Sequence, residues 1–216
     1  MTSPLIGIFG GTFDPIHLGH LHSIKLLDEE IRFARIHWVL SARPPHKDQV
    51  MTSIQHRFAM LQLALQASQH YYPDDREINR TEKSYTIDTV QQFRCEYPNA
   101  KLCLIIGGDS LLKLHTWSRY EALIEQIHLI VMHRPGYVLE VPDYLQDRLI
   151  EPHQLGNYDA GKLVLFRPSE FDVSSTKLRQ ALSQEILTKS NQLLIEQFIA
   201  PSVLDYIQQQ RLYKTV

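Results

Sequence analysis

Cysteine is scarce in this chain of 216 residues, which contains only Cys95 and Cys103. Their spacing matches neither a zinc knuckle nor a redox-active pair. A chain of this length buries roughly 70% of its unfolded surface, so it can build a core without a disulfide or a structural metal. We therefore expect two free thiols in a reducing, cytoplasmic environment.

Long apolar runs and an excess of one charge are also missing. The longest apolar stretches, near residues 102–108 and 127–132, are far shorter than a membrane span. Residues 1–20 lack the basic and apolar regions of a signal peptide. With 22 Lys and Arg against 24 Asp and Glu, the net charge is −2, which argues against nucleic-acid binding by phosphate neutralisation. We expect no membrane or nucleic-acid partner.

Short apolar runs that alternate with helix-period segments are what the sequence does contain. The runs predict strands at 5–9, 36–40, 101–106, 128–132 and 163–166, and a weaker strand at 77–80. Helical spacing predicts helices between them and two closing helices at 175–182 and 193–209. Nearly all-apolar strands alternating with helices are typical of a parallel sheet covered on both faces. We predict one α/β domain over 1–216, a Rossmann-like doubly wound sheet with a small helical C-terminal part from about 170.

The loop after the first strand carries the strongest chemical signal. In such a sheet, ligands bind beyond the carboxyl ends of the strands. Here Gly10 and Gly11 allow close approach of the backbone to a ligand. His17 and His20 are three residues apart at a helix start, so both rings lie on one face beside the positive end of the helix dipole. With Gly19 leaving space between them, the segment predicts a phosphate site.

Three other interpretations of this loop are weaker. A dinucleotide fingerprint needs G-x-G-x-x-G and an acidic residue after the second strand, whereas this strand ends in Leu40 and Ser41. A zinc site built from the histidines at 17, 20 and 22 would lack a nearby cysteine or an intervening glutamate. A plain glycine-rich turn with two surface histidines remains open from this segment alone. A later P-loop-like stretch, 156–163, lacks the Ser or Thr that binds magnesium and precedes a strand, so we interpret it as an exposed turn.

A second anion-binding segment lies at 172–179. Ser174 or Ser175 can cap a helix whose first N–H groups could bind an anion. Arg179 follows Ser175 by one turn and could reach the same anion. Taken alone, the segment is more typical of an ordinary cap with a solvated arginine. Combined with the first loop, it predicts a second phosphate clamp.

Together these segments resemble the H-x-G-H and S-S-T-x-x-R motifs of the nucleotidylyltransferase superfamily. Further motifs are similar to the bacterial nicotinate-nucleotide adenylyltransferase family: P-P-H-K at 44–47, S-Y-T at 84–86, I-I-G-G-D-S at 105–110, T-W at 116–117 and H-R-P-G at 133–136. The resemblance runs from residue 5 to about 213. It implies transfer of AMP from ATP to nicotinate mononucleotide, giving deamido-NAD and pyrophosphate, with Mg²⁺ carried by the ATP phosphates.

The resemblance also implies roles for particular residues. The catalytic pair that holds the ATP phosphates would be His17 and His20. The remaining ATP-binding residues would be Gly10, Gly11, Thr12, Phe13, Gly107, Asp109, Ser175, Thr176 and Arg179. The acceptor-binding residues would be His46, Lys47, Tyr85, Thr86 and Trp117, with the indole stacked on the pyridine ring. Trp117 could also be a core aromatic, and the direction of the neighbouring Arg119 is open.

The chemistry requires alignment more than acid–base catalysis. The acceptor phosphate is already a dianion near neutral pH, so attack on the α-phosphorus needs no general base and no protein nucleophile.

Other functions stay open from the sequence. Nicotinamide mononucleotide and phosphopantetheine are alternative acceptors, and a nucleotide-binding module without catalytic activity is the alternative from another class of function. A class I aminoacyl-tRNA synthetase would need a tRNA-binding domain and a basic surface. The sequence leaves the oligomeric state open and is compatible with a homo-oligomer.

Overall fold

The computed structural model describes residues 3–42, 52–80, 85–133, 139–168, 173–184 and 188–214. In this part of the chain, six strands form one sheet in which every pairing is parallel. They are β1 (Leu5–Gly11), β2 (Arg35–Leu40), β3 (Tyr71–Asp74), β4 (Lys101–Gly107), β5 (His128–Met132) and β6 (Leu163–Phe166). The spatial order β3-β2-β1-β4-β5-β6 reverses direction between β1 and β4. This is a doubly wound order, and the predicted fold class is confirmed.

Helices connect the strands and continue beyond the last one. They are α1 (Leu18–Ile31), α2 (Ile54–Leu65), α3 (Thr86–Glu96), α4 (Gly108–Leu112), α5 (Tyr120–Gln126), α6 (Asp143–Gln146), α7 (Ser175–Leu182), α8 (Lys189–Phe198) and α9 (Pro201–Gln209). Short 3₁₀ helices cover Leu114–Thr116 and Pro152–Asn157. Among the helices described, none combines the length and apolar character needed to cross a bilayer.

Two hydrophobic cores lie on opposite faces of the sheet. Successive residues of a strand point to opposite faces, and in β1 Phe9 belongs to one core and Ile8 to the other. The Phe9 core includes apolar side chains of α1 and α2 and of the C-terminal helices α7, α8 and α9. The Ile8 core includes side chains of α3 and α5. The C-terminal helices therefore pack on the same core that supports β1.

Two predictions about individual elements were wrong. Residues 76–79 form a turn, and the third strand is Tyr71–Asp74. This strand lies at the edge of the sheet, where proline is tolerated and the apolar signal is weak. The single helix expected over 193–209 is two helices, because Pro201 begins α9 and its ring cannot continue the hydrogen bonding of α8.

Candidate active site

Two of the predicted ATP-binding segments lie where the neighbouring strands β1 and β4 end. The strand order reverses between these two neighbours, and open α/β sheets bind ligands at such a point. After β1 the chain forms a loop over 12–17 and enters α1, whereas after β4 it enters α4 directly at Gly108. The first loop, defined here as residues 12–17, is therefore the longer of the two connections at this point.

The start of the first loop has a tightly specified backbone. Phe13 adopts a positive φ of 47°, which is strained for a residue with a side chain. Its buried ring packs edge-on against Phe9 and His20, each with centroids 5.5 Å away. A Cβ atom on Gly11 would lie 2.5 Å from the Phe13 ring, so only glycine fits there. Gly10 is exposed with open space around its Cβ position, so a ligand could approach its backbone.

His17 and His20 lie side by side at the start of α1, as predicted. His17 is the residue before the helix, and its main-chain N–H donates to Nδ1 of His20 at 3.3 Å. The two rings stack with centroids 3.6 Å apart. Because Nδ1 of His20 accepts a hydrogen bond, the neutral ring carries its proton on Nε2. His20 therefore presents Nε2–H as a donor beside the positive end of the α1 dipole.

The start of α7 is attached to the first loop. Ser174, not Ser175, caps the helix, because its side chain accepts from the main-chain N–H of Lys177 at 3.2 Å. The Ser175 hydroxyl instead donates to the carbonyl of Pro15 at 3.0 Å. Arg179 donates through Nη1 to the carbonyl of Asp14 at 2.7 Å and through Nη2 to Oγ1 of Thr176 at 3.3 Å. The structure thus brings the two segments together.

Gly19 shows how closely the starts of α1 and α7 approach. A Cβ atom at Gly19 would lie 2.6 Å from Cγ1 of Val173, the buried residue just before α7 begins at Ser175. A side chain at position 19 would push the two helix starts apart. The glycine of the H-x-G-H motif therefore permits the close approach of two helix N-termini, each a place where main-chain N–H groups favour an anion.

Gly107 and Asp109 lie at the carboxyl end of β4, the neighbour of β1. Gly107 ends the strand, and a Cβ atom there would lie 2.7 Å from Oδ1 of Asp109. Asp109 is exposed in the first turn of α4. Both residues therefore lie at the carboxyl end of β4, beside β1, and their assignment to the adenosine stays a prediction.

The predicted acceptor residues are only partly described. Tyr85 is exposed and Thr86 half-buried at the start of α3. Trp117 is half-buried. Part of its side chain packs against the Ile8 core, and the rest is accessible to solvent. The other two acceptor residues predicted above, at positions 46 and 47, lie outside the described residues. Arg119 forms an ion pair with Asp88 of α3, which settles the direction of its guanidinium.

Sequence reasoning missed Arg57, a buried residue of α2 that holds this region together. Arg57 is 1% exposed, and its guanidinium donates to four carbonyls. Their distances are 3.0 Å for Thr12, 2.8 Å for Ser41, 3.1 Å for Ala42 and 3.2 Å for Thr52. Burial lowers the pKa of Arg57, while the nearby Asp14 carboxylate opposes that shift. The one sequence feature that could have identified Arg57 is its charge, which falls on the apolar face of α2.

Asp14 and Tyr213 form a second missed contact. The Tyr213 hydroxyl donates to Oδ1 of Asp14 at 2.7 Å, across 199 positions of sequence. Both residues are buried. Burial and the neighbouring carboxylate raise the pKa of Tyr213 far above its usual range, so the phenol stays protonated and remains a donor. No local pattern near the end of the chain pointed to this role.

Metal-binding side chains are sparse in the described parts of the chain. Over those ranges, no group of three or more His, Cys, Asp or Glu residues is placed to hold a metal ion. Near the first loop, Asp14 accepts from Tyr213, and Asp109 is exposed in the first turn of α4. This donor set suits a divalent ion that takes most of its ligands from a bound polyphosphate.

Comparison with known proteins points to one family. The cytidylyltransferase-like family model matches residues 8–181. A protein of Pseudoalteromonas atlantica, named a probable nicotinate-nucleotide adenylyltransferase, is 36% identical over 216 residues, covering 98% of this chain and 95% of that protein. The nicotinate-nucleotide adenylyltransferase of Escherichia coli O6:H1 is 38% identical over 217 residues, covering 97% and 99%.

A solved structure shares the fold. The nicotinic acid mononucleotide adenylyltransferase of Plasmodium falciparum, complexed with NaAD, superposes with a TM-score of 0.72 over 97% of each chain. The two sequences are 22% identical. This similarity therefore supports the fold alone, and membership of the family rests on the more similar bacterial sequences.

Proposed function

Because the chain belongs to the nicotinate-nucleotide adenylyltransferase family, we propose that it transfers AMP from ATP to nicotinate mononucleotide, giving deamido-NAD and pyrophosphate in NAD biosynthesis. The structural observation that carries this proposal is the junction of the two phosphate-binding segments. Arg179 and Ser175 of α7 both donate to carbonyls of the first loop, so α1 and α7 begin beside one another. One triphosphate can then contact both helix starts.

The reaction is an in-line displacement at the α-phosphorus of ATP. A phosphate oxygen of the acceptor forms a bond to this phosphorus, the bond to the bridging oxygen of the β-phosphate breaks, and pyrophosphate leaves. The acceptor oxygen is already anionic, so the protein needs only to align two anions and neutralise charge in the transition state. Donors at two helix N-termini, an imidazole and a guanidinium match this need.

For ATP, we assign the phosphates to the imidazoles of His17 and His20 and to the start of α7 with Ser175, Thr176 and Arg179. The backbone from Gly10 to Phe13 would line the nucleotide, and Gly107 and Asp109 would lie beside the adenosine. Ser175 and Arg179 have a double role in this assignment. Each uses one donor to hold the first loop, and Arg179 also donates through Nη2 to Thr176. A guanidinium has five N–H donors, so we assign those that remain, with main-chain N–H groups at the start of α7, to the phosphates.

For the acceptor, we assign the pyridine ring to the exposed surface of Trp117 and to Tyr85 and Thr86 at the start of α3. His46 and Lys47 would hold the acceptor phosphate. Arg119 is paired with Asp88, so we give it no direct role in binding the nicotinate carboxylate. Mg²⁺ bound to the phosphates of ATP would offset part of their charge.

The arrangement also supports one domain. The helices from α7 onward share the Phe9 core with the sheet, so we propose a single nucleotidylyltransferase domain over 1–216 that works in the cytoplasm on ATP and a mononucleotide.

A pyrophosphate-release assay tests the function directly. The purified chain is supplied with ATP, Mg²⁺ and, separately, nicotinate mononucleotide, nicotinamide mononucleotide or phosphopantetheine. We expect the highest kcat/KM with the acid mononucleotide and a dinucleotide product of matching mass. A higher kcat/KM with either other acceptor would overturn the substrate assignment. Release no faster than with ATP alone would leave a nucleotide-binding module.

A further inference from the structure

Side chains from two distant helices hold three carbonyls of the first loop. Arg57 of α2 donates to the carbonyl of Thr12 at 3.0 Å. Arg179 and Ser175 of α7 donate to those of Asp14 at 2.7 Å and Pro15 at 3.0 Å. In a trans peptide the N–H points opposite to the C=O. Holding the carbonyls of residues 12 and 15 therefore also fixes the directions of the N–H groups of residues 13 and 16.

The side chain of Asp14 adds a fourth connection, to the end of the chain. Asp14 is 4% exposed, and a buried carboxylate is costly unless it is hydrogen-bonded. Tyr213, which follows α9, supplies a hydroxyl 2.7 Å from Oδ1 of Asp14. Asp14 is thus held through its main chain by α7 and through its side chain by the turn that follows α9.

We propose that Tyr213 is a positioning residue for ATP: through Asp14, its hydroxyl fixes the first loop so that the triphosphate meets His20 in line. This inference rests on the proposed adenylyl transfer. Asp14 lies three residues before His17, and Phe13 packs on the His20 ring, so a shift at Asp14 displaces the groups assigned to the phosphates. A misplacement of about 1 Å can cost about 10²-fold in rate.

Tyr206 provides a matched control on the same C-terminal segment. Its hydroxyl lies 2.9 Å from Nδ1 of His56, so it also joins this segment to α2 through one hydrogen bond. Its partner belongs to α2 and not to the first loop. Tyr213→Phe and Tyr206→Phe therefore each delete one hydroxyl, and only the first touches Asp14. The Tyr213 hydroxyl also interacts with Thr52, so the Asp14 variants below are needed to isolate the contact with the first loop.

The experiment compares both variants with the unaltered chain in steady-state kinetics and in hydrogen exchange of the free protein. Assays are run well below the thermal midpoints of unfolding of both variants and of the unaltered chain, so that all three proteins are folded. For Tyr213→Phe we expect kcat/KM for ATP to fall by about 10- to 100-fold, KM for the acceptor to stay within about twofold, and amides of residues 12–17 to exchange faster. Tyr206→Phe should leave these parameters within about twofold.

A second pair of variants tests the same contact from the other side. Asp14→Asn keeps an oxygen that can accept from Tyr213, whereas Asp14→Ala removes it. We expect the asparagine variant to retain more kcat/KM for ATP than the alanine variant. If Asp14 had a purely structural role, the loss of kcat/KM in each variant would track the fall in its thermal midpoint of unfolding. KM for ATP and KM for the acceptor would then rise alike.

The outcomes separate this inference from the proposed function. An unaltered chain that releases no pyrophosphate would contradict the function, and the exchange of residues 12–17 would still test the link to Tyr213. If the unaltered chain is active, equal kinetics and equal loop exchange in Tyr213→Phe and Tyr206→Phe would overturn the positioning role.

Discussion

The guanidinium of Arg179 donates a hydrogen bond to the main-chain carbonyl of Asp14 at 2.7 Å, joining residues 165 positions apart in the sequence. This contact joins the two segments that we assign to the phosphates. Arg179 of α7 supports the loop that enters α1, and Ser175 reinforces the junction through Pro15. A triphosphate bound here would thus contact a surface that both segments build together.

Replacement of Arg179 by lysine tests this double role. A lysine keeps the charge but lacks the planar fork that can hold the Asp14 carbonyl and a phosphate together. We expect Arg179→Lys to lower kcat/KM for ATP by about 10²-fold, measured by pyrophosphate release. A lysine variant with wild-type kcat/KM would mean that charge alone matters and that the contact with Asp14 is dispensable.

His20 is expected to act in the transition state. Its Nδ1 accepts from the main chain of His17, so the neutral ring carries its proton on Nε2, and we assign this N–H to a phosphate oxygen. We expect His20→Ala to lower kcat by about 10²- to 10³-fold with little change in KM. His22, two residues along α1 and on another face, serves as the control, since His22→Ala should change kcat less than twofold by this account. An unchanged kcat in His20→Ala would remove this residue from the mechanism.

Trp117 is expected to discriminate between the two substrates. Its indole is half-buried against the Ile8 core, and its accessible surface is assigned to the pyridine ring. Trp117→Ala should raise KM for nicotinate mononucleotide at least about tenfold, because stacking on an aromatic ring is lost. KM for ATP should stay within about twofold. Equal increases in both KM values would assign Trp117 to the core alone.

Much of this architecture was predictable from short-range patterns. The apolar runs of β1, β2, β4, β5 and β6 are buried on both faces, so each strand stands out from its flanking residues, and the predicted range 175–182 coincides with α7. The edge strand β3 did not stand out, because Tyr71–Asp74 carries a proline and an aspartate. The motifs located the loop and two of the side chains that hold it, Ser175 and Arg179, but they did not locate Arg57 or Tyr213.

Those supporting side chains depend on tertiary contacts. Arg57 lies on the apolar face of α2, and only the fold shows that four carbonyls surround its guanidinium. Tyr213 reaches Asp14 across almost the whole chain. In a local sequence window, Arg57 looks like any arginine at the edge of the apolar face of a helix. Tyr213 looks like any aromatic residue near the C-terminal end. Their roles therefore had to come from the coordinates.

Arg57 should be essential for stability. Arg57→Met fills a similar volume but leaves buried carbonyls without their donor, and each unsatisfied group costs about 1–3 kcal/mol. We expect the free energy of unfolding, measured in urea, to fall by about 2–4 kcal/mol. Arg57→Lys should lose nearly as much, because one ammonium cannot span the loops after β1 and β2. A methionine variant as stable as the wild type would contradict this role.

The buried pair of Asp74 and His37 predicts loss of stability in acid. Burial alone would raise the pKa of Asp74, but hydrogen bonds from His37 and Arg76 lower it well below its usual range. A carboxyl with a depressed folded-state pKa stabilises the protein above its unfolded pKa of about 3.9, and this contribution is lost as the pH falls below that value. Asp74→Asn should therefore be less stable than the wild type at pH 7, with the difference shrinking below about pH 4. A difference that stays constant from pH 7 to pH 3 would exclude a stabilising, ionised Asp74.

The most direct test of the site is hydrogen exchange measured with and without a non-hydrolysable ATP analogue and Mg²⁺. If one triphosphate spans both helix starts, the analogue will slow exchange in peptides covering residues 10–20 and, to a comparable extent, in those covering 173–182. Slowed exchange in only one of these segments, or in neither, would contradict the shared site.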